Sequence, residues 1–100
     1  MTLLLDTHTF LWWWKGERRL PRSASEAIDG AETVFVSIAS AWEAAIKSSM
    51  GRLKLTARFE DGVAESGFKT LPIAFPHIER IARLPLHHRD PFDRMLIAQA

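Results

Sequence analysis

The chain has 100 residues, the length of one domain, and 47% of them are hydrophobic while 25% are charged, which excludes a disordered segment. Its 13 basic and 12 acidic residues leave a net charge of +1, so a broad, strongly basic surface for nucleic acid is excluded, although a local basic rim is not. The chain has no cysteine, which excludes disulfides, thiolate metal sites and a cysteine nucleophile and fits a reducing cytoplasm. Because no apolar run reaches the ~20 residues of a membrane-spanning helix and no signal peptide is apparent, we expect a cytoplasmic protein without a membrane partner.

Three short segments have the character of β-strands. Residues 2–5 form a continuous apolar run that is typical of a buried parallel strand. Residues 33–36 are β-branched and aromatic between polar neighbours, and residues 69–73 form a shorter third segment. We therefore predict three strands.

Two helical segments follow each predicted strand. They are predicted at residues 9–14, 21–29, 38–50, 59–66, 76–84 and from residue 91 onward. Gly30 is expected just past the second helix, Ser37 caps the third, and Asp90 and Pro91 are typical of the N-cap and first position of the last helix. In the third helix a stripe at i, i+3, i+4, i+7 and i+8 is expected to be buried. The stripe consists of Ile38, Ala41, Trp42, Ala45 and Ile46.

The order β-α-α-β-α-α-β-α-α predicts an α/β layer fold, in which helices cover a short parallel sheet. The chain stops at Ala100 within the apolar helical run 95–100, without a polar last turn or a glycine cap. We therefore expect a further strand to belong after this helix, and the chain to be cut short.

Several acidic residues are expected near one edge of this sheet. Asp6 directly follows the first strand, Ser37 ends the second, and Glu43 comes six residues later on the third helix. Ligands bind at the carboxyl ends of parallel strands, where Asp90 or Asp93 from the last helix can join Asp6 and Glu43. Clustered carboxylates repel unless a cation neutralises them, and oxygen ligands suit Mg²⁺ or Mn²⁺.

Each of these acids also has a purely structural interpretation. Asp6 can be the N-cap of the first helix, and Glu43 can be a surface partner of Lys47 at i+4. Asp90 can be the N-cap of the last helix, with Asp93 favoured by the helix dipole. The residues alone leave both interpretations open.

Three sequence blocks stand out. The first is Leu4-Leu5-Asp6-Thr7-His8, the second runs from Val36-Ser37 through Trp42-Glu43 to Lys47, and the third is residues 88–100. These blocks resemble the PIN domain, most closely its VapC-type toxins. They span the whole chain in the order of the family, and the third block, with Asp-Pro-Phe-Asp before Met-Leu-Ile-Ala, is the most specific.

This resemblance implies a single PIN-like domain over residues 1–100, a three-layer fold whose last strands are missing. It implies an endoribonuclease dependent on Mg²⁺ or Mn²⁺ that cuts RNA with metal-activated water. Asp6 and Glu43 match the first two metal-binding acids, the third is Asp93 or Asp90, and Ser37 matches a polar position near the site. The implied partners are an RNA substrate, a cognate antitoxin protein and a second copy in a homodimer.

The sequence departs from the family at its end. Family members continue for a few tens of residues, with a strand, a fourth acid and a last strand, whereas here nothing follows Ala100. One alternative is therefore an inactive, truncated PIN fragment that binds only an antitoxin or another partner. Another is a different metal-dependent nuclease or a phosphatase, since the same carboxylate site would serve for DNA.

Residues around the acids have two interpretations each. His87 and His88 can ligate a metal or face solvent in a loop, and His8 can ligate a metal or pack at the mouth of the site. Arg89 and Arg94 can hold phosphates or form salt bridges with Asp90 or Glu79.

The first helix is unusual in being hydrophobic nearly all round. Residues 10–14 are Phe-Leu-Trp-Trp-Trp, and only one face of a helix can be covered by the sheet. We expect some of this aromatic surface to contact a partner; the alternative is that all the tryptophans belong to the core.

Overall fold

The computed structural model describes residues 1–85 and 90–100, and within them it has the predicted order of elements. The strands are β1 (Thr2–Leu5), β2 (Thr33–Ser37) and β3 (Lys69–Leu71). The helices are α1 (Thr7–Lys15), α2 (Arg22–Gly30), α3 (Ile38–Ser49), α4 (Phe59–Glu65), α5 (Phe75–Arg83) and α6 (Pro91–Gln99). This arrangement confirms the α/β fold class.

The three strands form one parallel sheet with β2 in the centre. Leu5 of β1 is in register with Val36 of β2, which is in register with Thr70 of β3. Within the described ranges, no strand pairs with the other edge of β1. The further strand expected after residue 100 stays a prediction.

Several element boundaries differ from the predicted ones by one or two residues. β3 ends at Leu71 rather than at residue 73, because Pro72 has no N–H to donate to a sheet. α2 includes Gly30, which was expected just outside it, and Pro21 is its extended N-cap. α1 begins at Thr7, immediately after Asp6.

The core lies where α1 and α4 cover the sheet, and aromatic rings fill it. The ring centroid of Phe10, which is fully buried, lies 4.9 Å from that of Phe59 and 5.7 Å from that of Trp14. Phe68, just before β3, lies 5.8 Å from Trp13. We call these five side chains the aromatic cluster. It joins α1 to α4 and to the start of β3.

The aromatic cluster accounts for much of the apolar surface of α1 that was expected to contact a partner. Trp13 and Trp14 are half-buried and pack against the core, and Trp12 is half-buried with its ring 6.1 Å from that of His8. Large exposed apolar side chains lie instead on α3 and α5, including Trp42 at 57% and Phe75 at 82% exposure. A partner surface on α1 stays a prediction.

The prediction that one stripe of α3 is buried is wrong. Ile38, Trp42 and Ile46 are exposed, and the buried residues of α3 are Ala39, Ser40, Glu43 and Ala44. Ser40 follows Ile38 by two residues, which at about 100° per residue places it on the opposite side of the helix. The periodicity of apolar residues predicted the wrong face, because the buried face carries small and polar side chains, of which Ser40 and Glu43 hydrogen-bond to Thr7 of α1.

Gly62 of α4 lies against the aromatic cluster, and we expect Gly62→Ala to destabilise the fold. A Cβ at this position would come within 2.3 Å of the Trp14 ring, closer than any real contact. The ring stacks on Phe10 and cannot retreat without moving it. Overpacking of this kind lowers the free energy of unfolding by about 1–3 kcal/mol, which is measurable as a lower midpoint of urea unfolding. Gly30→Ala is the matched control, because nothing lies within 4 Å of its added Cβ; an equal loss in both variants would contradict this account.

Two sequence predictions remain to be compared with the structure, one on membrane spans and one on His87, His88 and Arg89. No helix among residues 1–85 and 90–100 is long and apolar enough to cross a membrane. The interpretations of His87, His88 and Arg89 fall outside the described residues.

Candidate functional site

The candidate site lies where β1 and β2 end. Asp6 directly follows Leu5 of β1, and Ser37 directly follows Val36, the register partner of Leu5. Because the strands are parallel, both polar residues lie at the same edge of the sheet. The predicted placement of Asp6 and Ser37 at the ends of the first and second strands is confirmed, and the structure shows that these two strands are neighbours.

Asp6 has the structural role that the residues allowed. Its backbone is extended, and its Oδ1 accepts a hydrogen bond of 2.7 Å from the backbone N–H of Thr9, so it is the N-cap of α1. The side chain is exposed, and its Oδ2 makes no hydrogen bond to any described residue. The cap therefore leaves one carboxylate oxygen of Asp6 open to solvent.

Glu43 is buried rather than a surface residue. Its side chain is only 7% exposed. Oε1 accepts a hydrogen bond of 2.7 Å from the Thr7 hydroxyl, and Oε2 lies 2.7 Å from the Lys47 ammonium. The expected i,i+4 pair with Lys47 is thus present, and because Glu43 is buried it is a charge-assisted contact rather than a solvent-screened one. Each oxygen of Glu43 has a fixed partner.

The Thr7 hydroxyl has a second neighbour, the Ser40 hydroxyl at 2.9 Å. A hydroxyl has one hydrogen to donate, and a carboxylate only accepts. Thr7 therefore donates to Glu43, and Ser40 donates to the Thr7 oxygen. Thr7 and Ser40 are 2% and 0% exposed, so these hydrogen bonds are shielded from water.

Ser37 and Gln99 join α6 to the sheet edge. Ser37 is the N-cap of α3, accepting from the backbone N–H of Ala39 at 3.0 Å, and its hydroxyl donates to Gln99 Oε1. The amide nitrogen of Gln99 donates to the carbonyl of Pro72, just after β3, at 3.2 Å. Ser37 thus has a structural role at the edge where the resemblance expected a polar residue.

The acids of α6 lie in its first turn. Asp90 is the N-cap, its Oδ1 accepting from the backbone N–H groups of Phe92 at 2.8 Å and Asp93 at 3.2 Å, and Asp93 is exposed. The Phe92 ring makes an edge-to-face contact with Trp42, with 5.0 Å between centroids. This contact packs the first turn of α6 against α3 at Trp42.

Arg94, in the same helix, joins α6 to α5. Its guanidinium donates to the carbonyls of Ile81 at 2.7 Å and Pro85 at 3.0 Å. These hydrogen bonds give Arg94 a structural role among the described residues.

Two of the four candidate metal ligands are connected through Thr7. Asp6 directly precedes Thr7 in the chain, and the Thr7 hydroxyl donates a hydrogen bond to Glu43. Across residues 1–85 and 90–100, no group of three or more His, Cys, Asp or Glu side chains is close enough to hold a metal ion. The choice between Asp90 and Asp93 stays open. Carboxylate oxygens are the donors that Mg²⁺ and Mn²⁺ prefer, and the open Oδ2 of Asp6 fits that chemistry.

Sequence reasoning missed Thr7, Ser40 and Gln99 as partners at this edge. For Ser40 a signal was present: it stands three residues before Glu43, which stands four before Lys47, so all three share one face of a helix. Thr7 and Gln99 depend on contacts more than 30 residues away in sequence, which no local pattern predicts.

Comparison with known proteins identifies the family. No curated protein and no solved structure matches the chain. The family model for the PIN domain matches residues 3–100, nearly the whole chain. PIN domains are in general nucleases, and they act on nucleic acid. The chain therefore belongs to the PIN domain family.

Proposed function

We propose that this protein is a Mg²⁺- or Mn²⁺-dependent endoribonuclease, the toxin of a VapC-type toxin–antitoxin pair. Asp6 and Glu43 would hold the cation, together with Asp93 or Asp90 from α6. The bound ion would supply an activated water and stabilise the charge that develops on the phosphate during an in-line displacement.

One observation carries this proposal: Glu43 is a buried carboxylate hydrogen-bonded to Thr7, the residue that follows the exposed Asp6 at the sheet edge. Removing an ionised group from water is unfavourable unless it is paired and hydrogen-bonded. Glu43 has these partners in Thr7 and Lys47, and Thr7 is the residue next to Asp6. A surface ion pair would need no such support, so the arrangement favours a site that uses a carboxylate in a fixed position.

The experiment is cleavage of a mixed-sequence RNA by the purified chain in Mn²⁺, in Mg²⁺ and in EDTA. We expect cleavage with either metal and none in EDTA. Glu43→Gln, which keeps the size of the side chain, is expected to lose the activity. DNA of the same sequence is the parallel substrate: preferential cleavage of DNA would support the alternative of another metal-dependent nuclease.

A second candidate function is partner binding without cleavage, and the exposed apolar surface favours it. Trp42 on α3 and Phe75 and Ile78 on α5 are 57%, 82% and 49% exposed. Large exposed apolar side chains mark interaction surfaces. In the proposed function they would serve binding of the antitoxin or of a second copy. A chain that binds a partner but leaves RNA intact under all metal conditions would favour this candidate.

A further inference from the structure

Thr7 is adjacent in the chain to one acid of the candidate site and hydrogen-bonded to the other. It is the first residue of α1, covalently next to Asp6, and its hydroxyl lies 2.7 Å from Glu43 Oε1. Asp6 lies between β1 and α1, whereas Glu43 lies far along the chain on α3. Thr7 thus connects the backbone at Asp6 to the Glu43 side chain.

The direction of the Thr7 hydrogen is fixed by its surroundings. The Ser40 hydroxyl, at 2.9 Å, donates to the Thr7 oxygen, which directs the Thr7 hydrogen to the carboxylate. All three groups are at least nine-tenths buried, so water does not compete for these hydrogen bonds. In a β-branched side chain the rotamer is also restricted, which holds the hydroxyl in one place.

Lys47 holds the other oxygen of Glu43, but it is a weaker constraint on position. Its side chain is 34% exposed, and its ammonium is a point charge on a flexible stem. Lys47 neutralises Glu43, whereas the orientation of the carboxylate relative to Asp6 depends on the short, buried hydroxyl.

We propose that Thr7 is a positioning residue that sets the orientation of the Glu43 carboxylate relative to Asp6, with Ser40 fixing the direction of the Thr7 hydroxyl. The inference rests on the proposed function, since it concerns the same pair of carboxylates. Groups that orient metal ligands typically contribute 10- to 100-fold to metal affinity or activity. Thr7 acts on the cation only through Glu43.

The test compares two substitutions at one position in the full chain. Thr7→Val keeps the shape and removes the hydroxyl, whereas Thr7→Ser keeps the hydroxyl. We expect Thr7→Val to lower kcat for RNA cleavage in Mn²⁺ by about 10- to 100-fold with KM for RNA unchanged, and to weaken Mn²⁺ binding, followed by the free-ion EPR signal. Thr7→Ser is expected to retain most of the wild-type kcat and most of the wild-type affinity for Mn²⁺.

A second readout needs no metal. The side-chain carboxyl ¹³C resonance of Glu43, assigned with Glu43→Gln, is expected to shift in metal-free Thr7→Val and to stay near its wild-type position in Thr7→Ser. Thr33→Val is the matched control, because it removes a hydroxyl at the opposite end of β2 that has no hydrogen-bond partner among the described residues. If Thr7→Val does not fold, Ser40→Ala replaces it, with an expected loss of about 10-fold in kcat, the lower end of that range, because Ser40 acts on Glu43 only through Thr7.

The outcomes separate this inference from the proposed function. A wild-type chain that binds Mn²⁺ but leaves RNA intact contradicts the proposed function, and Mn²⁺ binding by Thr7→Val then decides the inference. Equal Mn²⁺ binding by wild type and Thr7→Val, or an equal loss in Thr7→Ser or Thr33→Val, overturns the inference. A wild-type chain that binds no Mn²⁺ overturns both.

Discussion

Asp6→Asn is expected to lower metal-dependent RNA cleavage by about 100-fold or more while leaving the fold intact. Asparagine keeps the size of the side chain but removes the negative charge that attracts a divalent cation. It is as good an N-cap as aspartate, because its oxygen can still accept from the backbone N–H of Thr9. The substitution therefore separates the capping role of Asp6 from its proposed role as a ligand. Cleavage rates and urea midpoints of the two proteins measure both effects.

Two further variants complete this experiment. Asp6→Ala removes cap and ligand together, and we expect it to lose activity and about 0.5–2 kcal/mol of stability. Asp29→Asn, at an exposed acid of α2, is the control for a general change of charge and should leave both quantities unchanged. If Asp6→Asn cut RNA at the wild-type rate, Asp6 would be a cap and nothing more.

The candidate site could be predicted from sequence only in outline. Asp6 and Ser37 were placed correctly because strand ends are visible locally, and parallel strands bring those ends to one edge. The burial of Glu43 was not predictable in this way. It depends on Thr7, 36 residues earlier in the chain, and a tertiary hydrogen bond leaves no mark in local periodicity.

The fold was predicted better than its core. Strands and helices followed from β-branched runs, caps and helix-breaking residues, all of which act over a few residues. The face of α3 that packs inward was predicted wrongly, since Ala39, Ser40, Glu43 and Ala44 face the interior while larger apolar residues face out. Hydrophobic periodicity assumes that buried residues are apolar, and it fails where polar side chains such as Ser40 and Glu43 are buried.

The aromatic cluster is centred on a buried ring, Phe10, whereas the ring of Trp42 on α3 is exposed. Measurements of the free energy of unfolding can test whether the two rings differ in their contribution to stability. Phe10→Ala is expected to cost about 3–5 kcal/mol, a large part of the 5–15 kcal/mol that stabilises a typical domain. Phe10 is fully buried and contacts the rings of Trp14, Phe59 and Phe68, so its removal leaves a cavity that α1 and α4 cannot both close.

Trp42→Ala removes a larger side chain and is nevertheless expected to cost only about 1 kcal/mol. Trp42 is 57% exposed, and among the described residues its one ring contact is the edge-to-face pair with Phe92. Such a pair contributes about 0.5–1.5 kcal/mol. Urea unfolding of both variants at two protein concentrations measures these costs and reveals any contribution from self-association through α3. An equal loss at both positions, independent of concentration, would mean that the face of α3 bearing Trp42 belongs to the core after all.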